Sequence, residues 1–355
     1  MLKYDNGSAQ PNLSAHSIQK YYFPLPPIAE QRRIVAKIDE LMARCDELEK
    51  LRQVHAQKQI TVHTAALNQL LTAKDHNDFK TSWHFITQHF GELYSVKANV
   101  AELRKAILQL AVMGKLVPQD PNDQPASELL KEIEVEKNRL VKEKGLRTSA
   151  SEQIEESEKH FGKFEGWEYC RLGNLAKFID YRGRTPTKVD SGIALITAKN
   201  VRIGYINREP YEYVTQSEYQ SWMTRGFPKV GDILFTTEAP LGNVAIIDIQ
   251  EPFALAQRVI CLQLHKPEMA DFLKLLIMSS VFQNLLLNNA TGMTATGIKA
   301  SRLKEIPVPL PPLAEQHRIV AKIDQLMTLC DELEKQIDIA NSKKTSLLNS
   351  VMTKV

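Results

Sequence analysis

PLPPIAEQRRIVAKIDELMARCDELEK (Pro24–Lys50) and PLPPLAEQHRIVAKIDQLMTLCDELEK (Pro309–Lys335) are one segment written twice, 285 residues apart. Twenty-two of the 27 positions are identical; the differences are Ile28/Leu313, Arg32/His317, Glu40/Gln325, Ala43/Thr328 and Arg44/Leu329. A repeat of so long a period is a statement about architecture, and two copies are too few for a solenoid. It predicts two equivalent helices with other material between them.

Each copy opens on a stiff proline lead-in, Pro24, Pro26 and Pro27 or Pro309, Pro311 and Pro312. Proline fixes φ and holds the preceding residue extended, and it suits a first helical turn. Glu30 or Glu315 then places negative charge near the positive end of the helix dipole. The apolar positions that follow are Ile34, Ile38, Leu41, Cys45 and Leu48, and in the second copy Ile319, Ile323, Leu326, Cys330 and Leu333. Spacings of 4, 3, 4 and 3 are those of a coiled-coil seam. Because the same seam and lead-in occur twice, the expectation is two long helices that pair with each other as an antiparallel coiled coil.

Working outward, the 355 residues suffice for two or three structural units. The composition, 43% hydrophobic and 25% charged, is that of a globular chain, and a net charge of +3 excludes a strongly basic nucleic-acid coat. Cys45, Cys170, Cys261 and Cys330 show no CxxC spacing, and two of them occupy seam positions, where a reduced cysteine acts as a small hydrophobe. Neither a disulfide framework nor a zinc site is expected, which fits a reducing cytoplasm. No run of about 18 apolar residues and no signal-peptide pattern occur, so the chain is expected to be soluble and cytoplasmic, without a membrane partner.

Residues 1–22 are polar, rich in turn formers and too few for a domain. Residues 23–150 read as a helical region: one helix over about 28–72, roughly 65 Å long if unbroken, two more near 79–94 and 96–113, and a charged helix over 126–144. For that last helix a solvated face is expected, because Glu132, Glu134, Glu136 and Glu143 alternate with its lysines. From Phe161 the texture changes to glycines, aromatics and short β-type runs at 193–198, 232–237, 244–248 and 259–264, followed by an apolar helix over 270–288. Residues 151–306 are therefore expected to form one α+β domain, and 307–355 the second repeat helix.

At this point the residues resemble a known family. The duplicated PLPP-x-AEQ-x-RIVAKID segment and the stretch LRKAILQLAVMGKLVPQDPNDQPASELL (Leu103–Leu130) are similar to the conserved regions of specificity (S) subunits of type I restriction–modification systems. Gly166-Trp167 with Leu172-Gly173-Asn174-Leu175, then Val230-Gly231-Asp232-Ile233-Leu234 and Thr291-Gly292 running to Leu303 and Pro307, resemble the start, middle and end of a target recognition domain. The resemblance covers nearly the whole chain, and the repeated helix is its most specific part.

What the resemblance implies is a non-catalytic subunit that reads double-stranded DNA through its recognition domain. Its conserved helices would dock methyltransferase (M) subunits, and nuclease-translocase (R) subunits would join to complete the enzyme. S-adenosylmethionine, ATP and Mg would belong to those partners, with no cofactor in this chain. The family carries two recognition domains, whereas here residues 10–23 resemble only the last strip of a first one. Pairing with a second copy of the chain is accordingly expected to restore two domains.

Duplex DNA demands cations that replace its counterions and side chains that reach base edges. Residues 177–208 carry seven basic residues against two aspartates, a local balance of +5. The candidates there are Arg182, Arg184, Thr185, Thr187, Lys188, Lys199, Asn200 and Arg202, since arginine pairs with guanine and asparagine with adenine. Thr236, Thr237, Asn243, Gln257, Arg258, Thr294 and Lys299 form three further polar segments, each of which also reads as a hairpin turn. The residues show neither a [DNS]PP[FYW] motif with a glycine-rich cofactor loop nor a phosphate loop of the GxxxxGK[ST] type. No metal-ligand spacing stands out among the histidines, and no catalytic residue is assigned. By themselves the residues leave open a coiled-coil adaptor that binds no DNA, and an enzyme whose site lies in 161–306.

Overall fold

The computed structural model describes Gln19, Tyr22 and residues 24–144, 153–162, 164–181, 186–291 and 296–352. The chain divides into two units, residues 1–59 and 60–355, each described by itself. The first contains the proline lead-in and most of helix α1 (Ile28–Leu71), where Gln31 Nε2 donates back to the Pro26 carbonyl at 2.7 Å and closes the first turn. Its seam residues Ile34, Ile38, Leu41, Cys45 and Leu48 are all exposed.

In the second unit the last turns of α1 lead into α2 (His76–Gln88), α3 (Phe90–Leu93), α4 (Lys97–Val112) and α5 (Ala126–Lys144). Asp75 caps α2 by accepting from the Asn77 and Asp78 amides, satisfying two orphan donors of its first turn. The chain ends in α11 (Leu313–Met352), whose lead-in repeats the bond seen in the first unit: Gln316 Nε2 donates to the Pro311 carbonyl at 2.9 Å. Ile319, Ile323, Cys330 and Ile337 of α11 are buried in one cluster with Val100, Ala106, Ile107 and Leu110 of α4 and with Ala66, Leu67 and Leu70 of α1. Ion pairs fix the direction: Lys97 meets Asp338 (2.7 Å), Arg104 meets Asp331 (2.6 Å), and Asp123, just beyond α4, meets Arg318 (2.6 Å). The partners run in opposite order, so α4 and α11 are antiparallel. Within the second unit, the second seam therefore packs on α4. An apolar stripe at heptad spacing accepts any helix with a matching stripe, so spacing alone does not name its partner.

Between α5 and α11 lies the α+β domain. Its strands and helices are β1 (Glu168–Arg171), α6 (Leu172–Leu175), β2 (Ala176–Asp180), β3 (Ile193–Ile196), β4 (Tyr213–Val214), α7 (Gln216–Trp222), β5 (Ile233–Thr236), β6 (Val244–Ile246), β7 (Phe253–Leu255), β8 (Val259–Leu264), α8 (Ala270–Met278), α9 (Ser280–Asn289), α10 (Ala300–Lys304) and β9 (Pro307–Leu310). A four-stranded antiparallel sheet has the order β2-β8-β5-β6, and a three-stranded sheet the order β4-β3-β7. Alternation divides the core in two. Ile233, Phe235, Ile260 and Leu262 join one buried cluster with α8 and α9, while Leu234, Val259 and Cys261 join another with the three-stranded sheet and Trp222. Both faces of β5 and β8 are covered, which is why they read as continuous apolar runs.

Two expectations are adjusted. The apolar stretch over 270–288 is not one helix: Ser279 leaves helical geometry and its hydroxyl accepts from the Phe282 amide, so α8 and α9 meet at a 71° bend. Segment 307–355 does not begin as helix, because Pro307–Leu310 is strand β9, paired antiparallel with β1. Proline donates nothing to a ladder, and this two-stranded pairing tolerates Pro307 and Pro309. Helix α5 has the expected solvated face at Glu132 and Glu134, and buries Ala126, Leu129 and Ile133 on the other side. No single described helix is long and apolar enough to cross a membrane; the bent α8–α9 pair passes on length and composition, and Phe272, Leu273, Leu276, Phe282 and Leu286 in it are core residues.

The seam of α11 is buried and its flank exposed, so a charge placed in each should behave differently. Ile323→Glu should cost about 3–5 kcal/mol by leaving an unpaired charge in the α4–α11 packing. Leu329→Glu, at an exposed position of the same helix, should stay within about 0.5 kcal/mol of the parent. Urea denaturation of both variants measures this, and equal losses would refute the asymmetry.

Candidate nucleic-acid interface

The polar segments singled out in the sequence converge on one end of the α+β domain. The Thr237 amide donates to the Arg258 carbonyl (3.0 Å) and the Ile298 amide to the Thr237 carbonyl (2.9 Å). Gly297 bridges to Glu238 and to Thr291. These bonds tie together the turns after β5, before β8 and after α9. A further hairpin, Val201 to Ile206, joins them: the Asn243 side-chain amide donates to the Val201 carbonyl (2.9 Å), and the Gly204 amide to the Val244 carbonyl (2.8 Å).

Within this end the candidates fall into two groups. Asn200, Thr236, Thr237 and Asn243 are buried braces rather than exposed readers. Asn200 Oδ1 accepts from the Thr197 amide (3.0 Å) and hydroxyl (2.8 Å), and its Nδ2 faces the carbonyls of Asn207 (3.1 Å), Arg208 (3.3 Å) and Pro210 (3.1 Å). Nothing is left over on that amide for a base edge. Thr236 Oγ1 accepts from the Asn243 amide at 2.9 Å, and Thr237 Oγ1 donates to the Arg258 carbonyl at 3.3 Å. Short polar side chains bonding to nearby backbone are how tight loops are held, and sequence does not distinguish that use from base reading.

The second group faces outward. Thr187, Lys188, Lys199, Arg258 and Lys299 are exposed, and Arg202 and Gln257 half-buried. Lys188 pairs with Glu212 (2.8 Å) and Arg258 with Glu238 (2.5 Å). Arg182, Arg184, Thr185 and Thr294 lie outside the described residues.

Sequence reasoning missed the apolar part of this surface. The hairpin tip presents Ile203 and Tyr205, with Tyr211 beyond it, all well exposed, beside Lys199 and Arg202. Gly204 turns there at φ +89°, a geometry that side chains disfavour, and the Arg202 amide donates to the Tyr205 carbonyl at 2.9 Å. The signal is present in Arg202-Ile203-Gly204-Tyr205, a glycine between two large apolar residues within a basic stretch.

Away from this end, the buried titratable groups are structural. Burial pushes the Cys170 thiol up to about 12 and the Tyr169 hydroxyl to about 12. Burial also raises the Asp232 carboxyl, which accepts from Gln263 Nε2 at 2.7 Å and from the Lys229 amide at 2.8 Å. Among the described residues no group of three His, Cys, Asp or Glu side chains is arranged to hold a metal.

Comparison with known proteins gives a consistent set of relatives. The family described as "Type I restriction modification DNA specificity domain" matches residues 1–57 and 164–340. The specificity subunit of the EcoAI type I restriction enzyme of Escherichia coli is 33% identical over 92% of this chain and 57% of that protein. The EcoEI specificity subunit of Escherichia coli is 30% identical over 97% of this chain and 60% of its own length. The chain thus spans about three fifths of the length of these two relatives. Among solved structures, a chain from a type I R-M system aligns over 98% of this chain and 64% of its own, at 18% identity and a TM-score of 0.48. The HsdS subunit from Thermoanaerobacter tengcongensis aligns over 94% and 60%, at 17% identity and a TM-score of 0.42.

If Asn200 is a brace, its loss should register as instability. Asn200→Ala should lower folding stability by about 1–3 kcal/mol by orphaning buried backbone groups, and Asn200→Asp should cost more, because a carboxylate would face three carbonyl oxygens. Thermal unfolding measures this; unchanged melting of both variants would return Asn200 to the surface.

Proposed function

Because the chain belongs to the type I restriction–modification DNA specificity domain family, we propose that it is a DNA sequence-recognition subunit. The observation that carries the reading is the convergence of four loops on one end of the α+β domain, braced from within by Asn200, Asn243, Thr236 and Thr237. Outward they present Lys199, Arg202, Arg258 and Lys299 together with Tyr205. The cations supply the phosphate contacts that position a duplex, and arginine supplies the fork that matches guanine. In this reading the conserved helices dock M subunits, R subunits join the assembly, and this chain contributes no catalytic group. S-adenosylmethionine, ATP and Mg then act in those partners, inside the cytoplasm where such an assembly meets DNA.

The test is binding of a random-sequence duplex pool by the chain assembled with M subunits, followed over a range of salt concentrations. Lys199→Ala should weaken all sequences alike and lower the slope of log K against log salt by about one. Tyr205→Ala should weaken binding about tenfold with that slope unchanged, because a stacking contact releases no counterion. An assembly that binds the pool no better than M subunits alone would sink the reading and leave a coiled-coil adaptor in its place.

A further inference from the structure

Among the outward-facing cations at the loop end of the α+β domain, Arg258 is held differently from its neighbours. Its Nε meets the Glu238 carboxylate at 2.5 Å, with the two side chains still 50% and 33% exposed. Lys199, Arg202 and Lys299 have no acid partner among the described residues. Backbone bonds fix both members of the pair from beneath. The Arg258 carbonyl accepts from the Thr237 amide (3.0 Å) and hydroxyl (3.3 Å), and Glu238 bridges to Gly297. Gly297 leaves the room the acid needs: a Cβ there would lie 3.0 Å from the Glu238 Cβ and 3.2 Å from its Oε2.

Folding stability does not account for this pair. An exposed ion pair contributes little, because solvent screens it and two side chains lose freedom in making it. On a surface that meets a polyanion the carboxylate is also a liability, since it repels the phosphates that nearby lysines attract. What the pair does supply is a fixed geometry. A guanidinium carries more donors than one carboxylate can accept, so Arg258 keeps a planar fork while losing its freedom to swing. That fork matches the O6 and N7 acceptors of guanine in the major groove, and holding it in place beforehand lowers the ordering cost of binding.

We propose that Arg258 reads a guanine of the target and that Glu238 is the positioning residue that presents its guanidinium to that base. The proposal rests on the DNA-recognition reading above. It goes beyond that reading by dividing the outward cations: Arg258 discriminates among sequences, whereas Lys199 and Lys299 hold phosphates. Gly297 belongs to the same device, since it lets the acid stand where the arginine can use it.

In the test, the full chain assembled with M subunits selects its preferred site from a random-sequence duplex pool. Affinity for that site is then compared with affinity for the unselected pool. Guanines of the site are replaced one at a time by 7-deazaguanine, which lacks the N7 acceptor. At one position at least, the replacement should weaken the parent about tenfold, and in Arg258→Ala it should there cost nothing further. Glu238→Gln separates positioning from a structural role. Having lost a negative charge it should bind the pool more tightly, while its preference for the site over the pool falls about tenfold. Gly297→Ala, which crowds Glu238 without changing a charge, should lower the preference with the salt slope at the parent's value. Equal tightening of site and pool in Glu238→Gln would show that the acid positions nothing and would overturn the proposal. A selected site without guanine, or an Arg258→Ala variant that responds to 7-deazaguanine wherever the parent does, would overturn Arg258 as the reader. Both of those outcomes leave DNA recognition standing, whereas an assembly that selects no site at all defeats that reading and this proposal together.

Discussion

Everything between residues 126 and 310 is an excursion from one antiparallel helix contact, that of α4 with α11. Burial of Ile319, Ile323 and Cys330 against Val100, Ile107 and Leu110 supplies the apolar driving force, at about 25 cal/mol for each Å² removed from water. The ion pairs of Arg104 and Arg318 set register more than strength, since half-exposed pairs contribute little. With that contact made, the two ends of the α+β domain are brought side by side, and β1 and β9 pair across the 135 residues of chain that lie between Arg171 and Pro307. The domain is closed at its base by the same interaction that holds the helices.

Glu315 shows how this junction is sealed. It is fully buried; burial pushes its carboxyl above the ordinary range, while the Trp167 indole and the nearby Arg318 pull it down. A raised carboxyl contributes stability that is fully present below the unfolded-state value and is lost as pH rises through the folded value. His63, packed edge-on against Tyr94 at 5.0 Å, is likewise held below its usual range by burial and enters the helical core as a neutral ring. The same residue types on α1 and α2, His55, His76 and His84, are exposed.

At the opposite end of the domain rigidity comes from polar braces rather than from apolar packing. Asn200 and Asn243 bond to backbone in different loops, so the outward-facing Lys199, Arg202 and Tyr205 sit on a loop whose shape is set from beneath. That division of labour suits recognition of a stiff polyanion, where positions must be held before contact is made.

Much of this was legible in the residues themselves. The repeat announced two equivalent helices, β5 and β8 read as short β-type runs, and the family was visible in PLPP-x-AEQ and in the Leu103–Leu130 stretch. What the sequence by itself determined were those properties carried by neighbours in the chain: period, capping, turn chemistry and the local surplus of positive charge. Only the tertiary structure decided that α4 packs on the seam of α11, and that Asn200 is used inward while Tyr205 points out. The physical reason is that a heptad stripe or a polar side chain states what it needs but not who provides it. The provider is chosen by groups far away in sequence, as Asp123 is for Arg318 and Trp167 for Glu315.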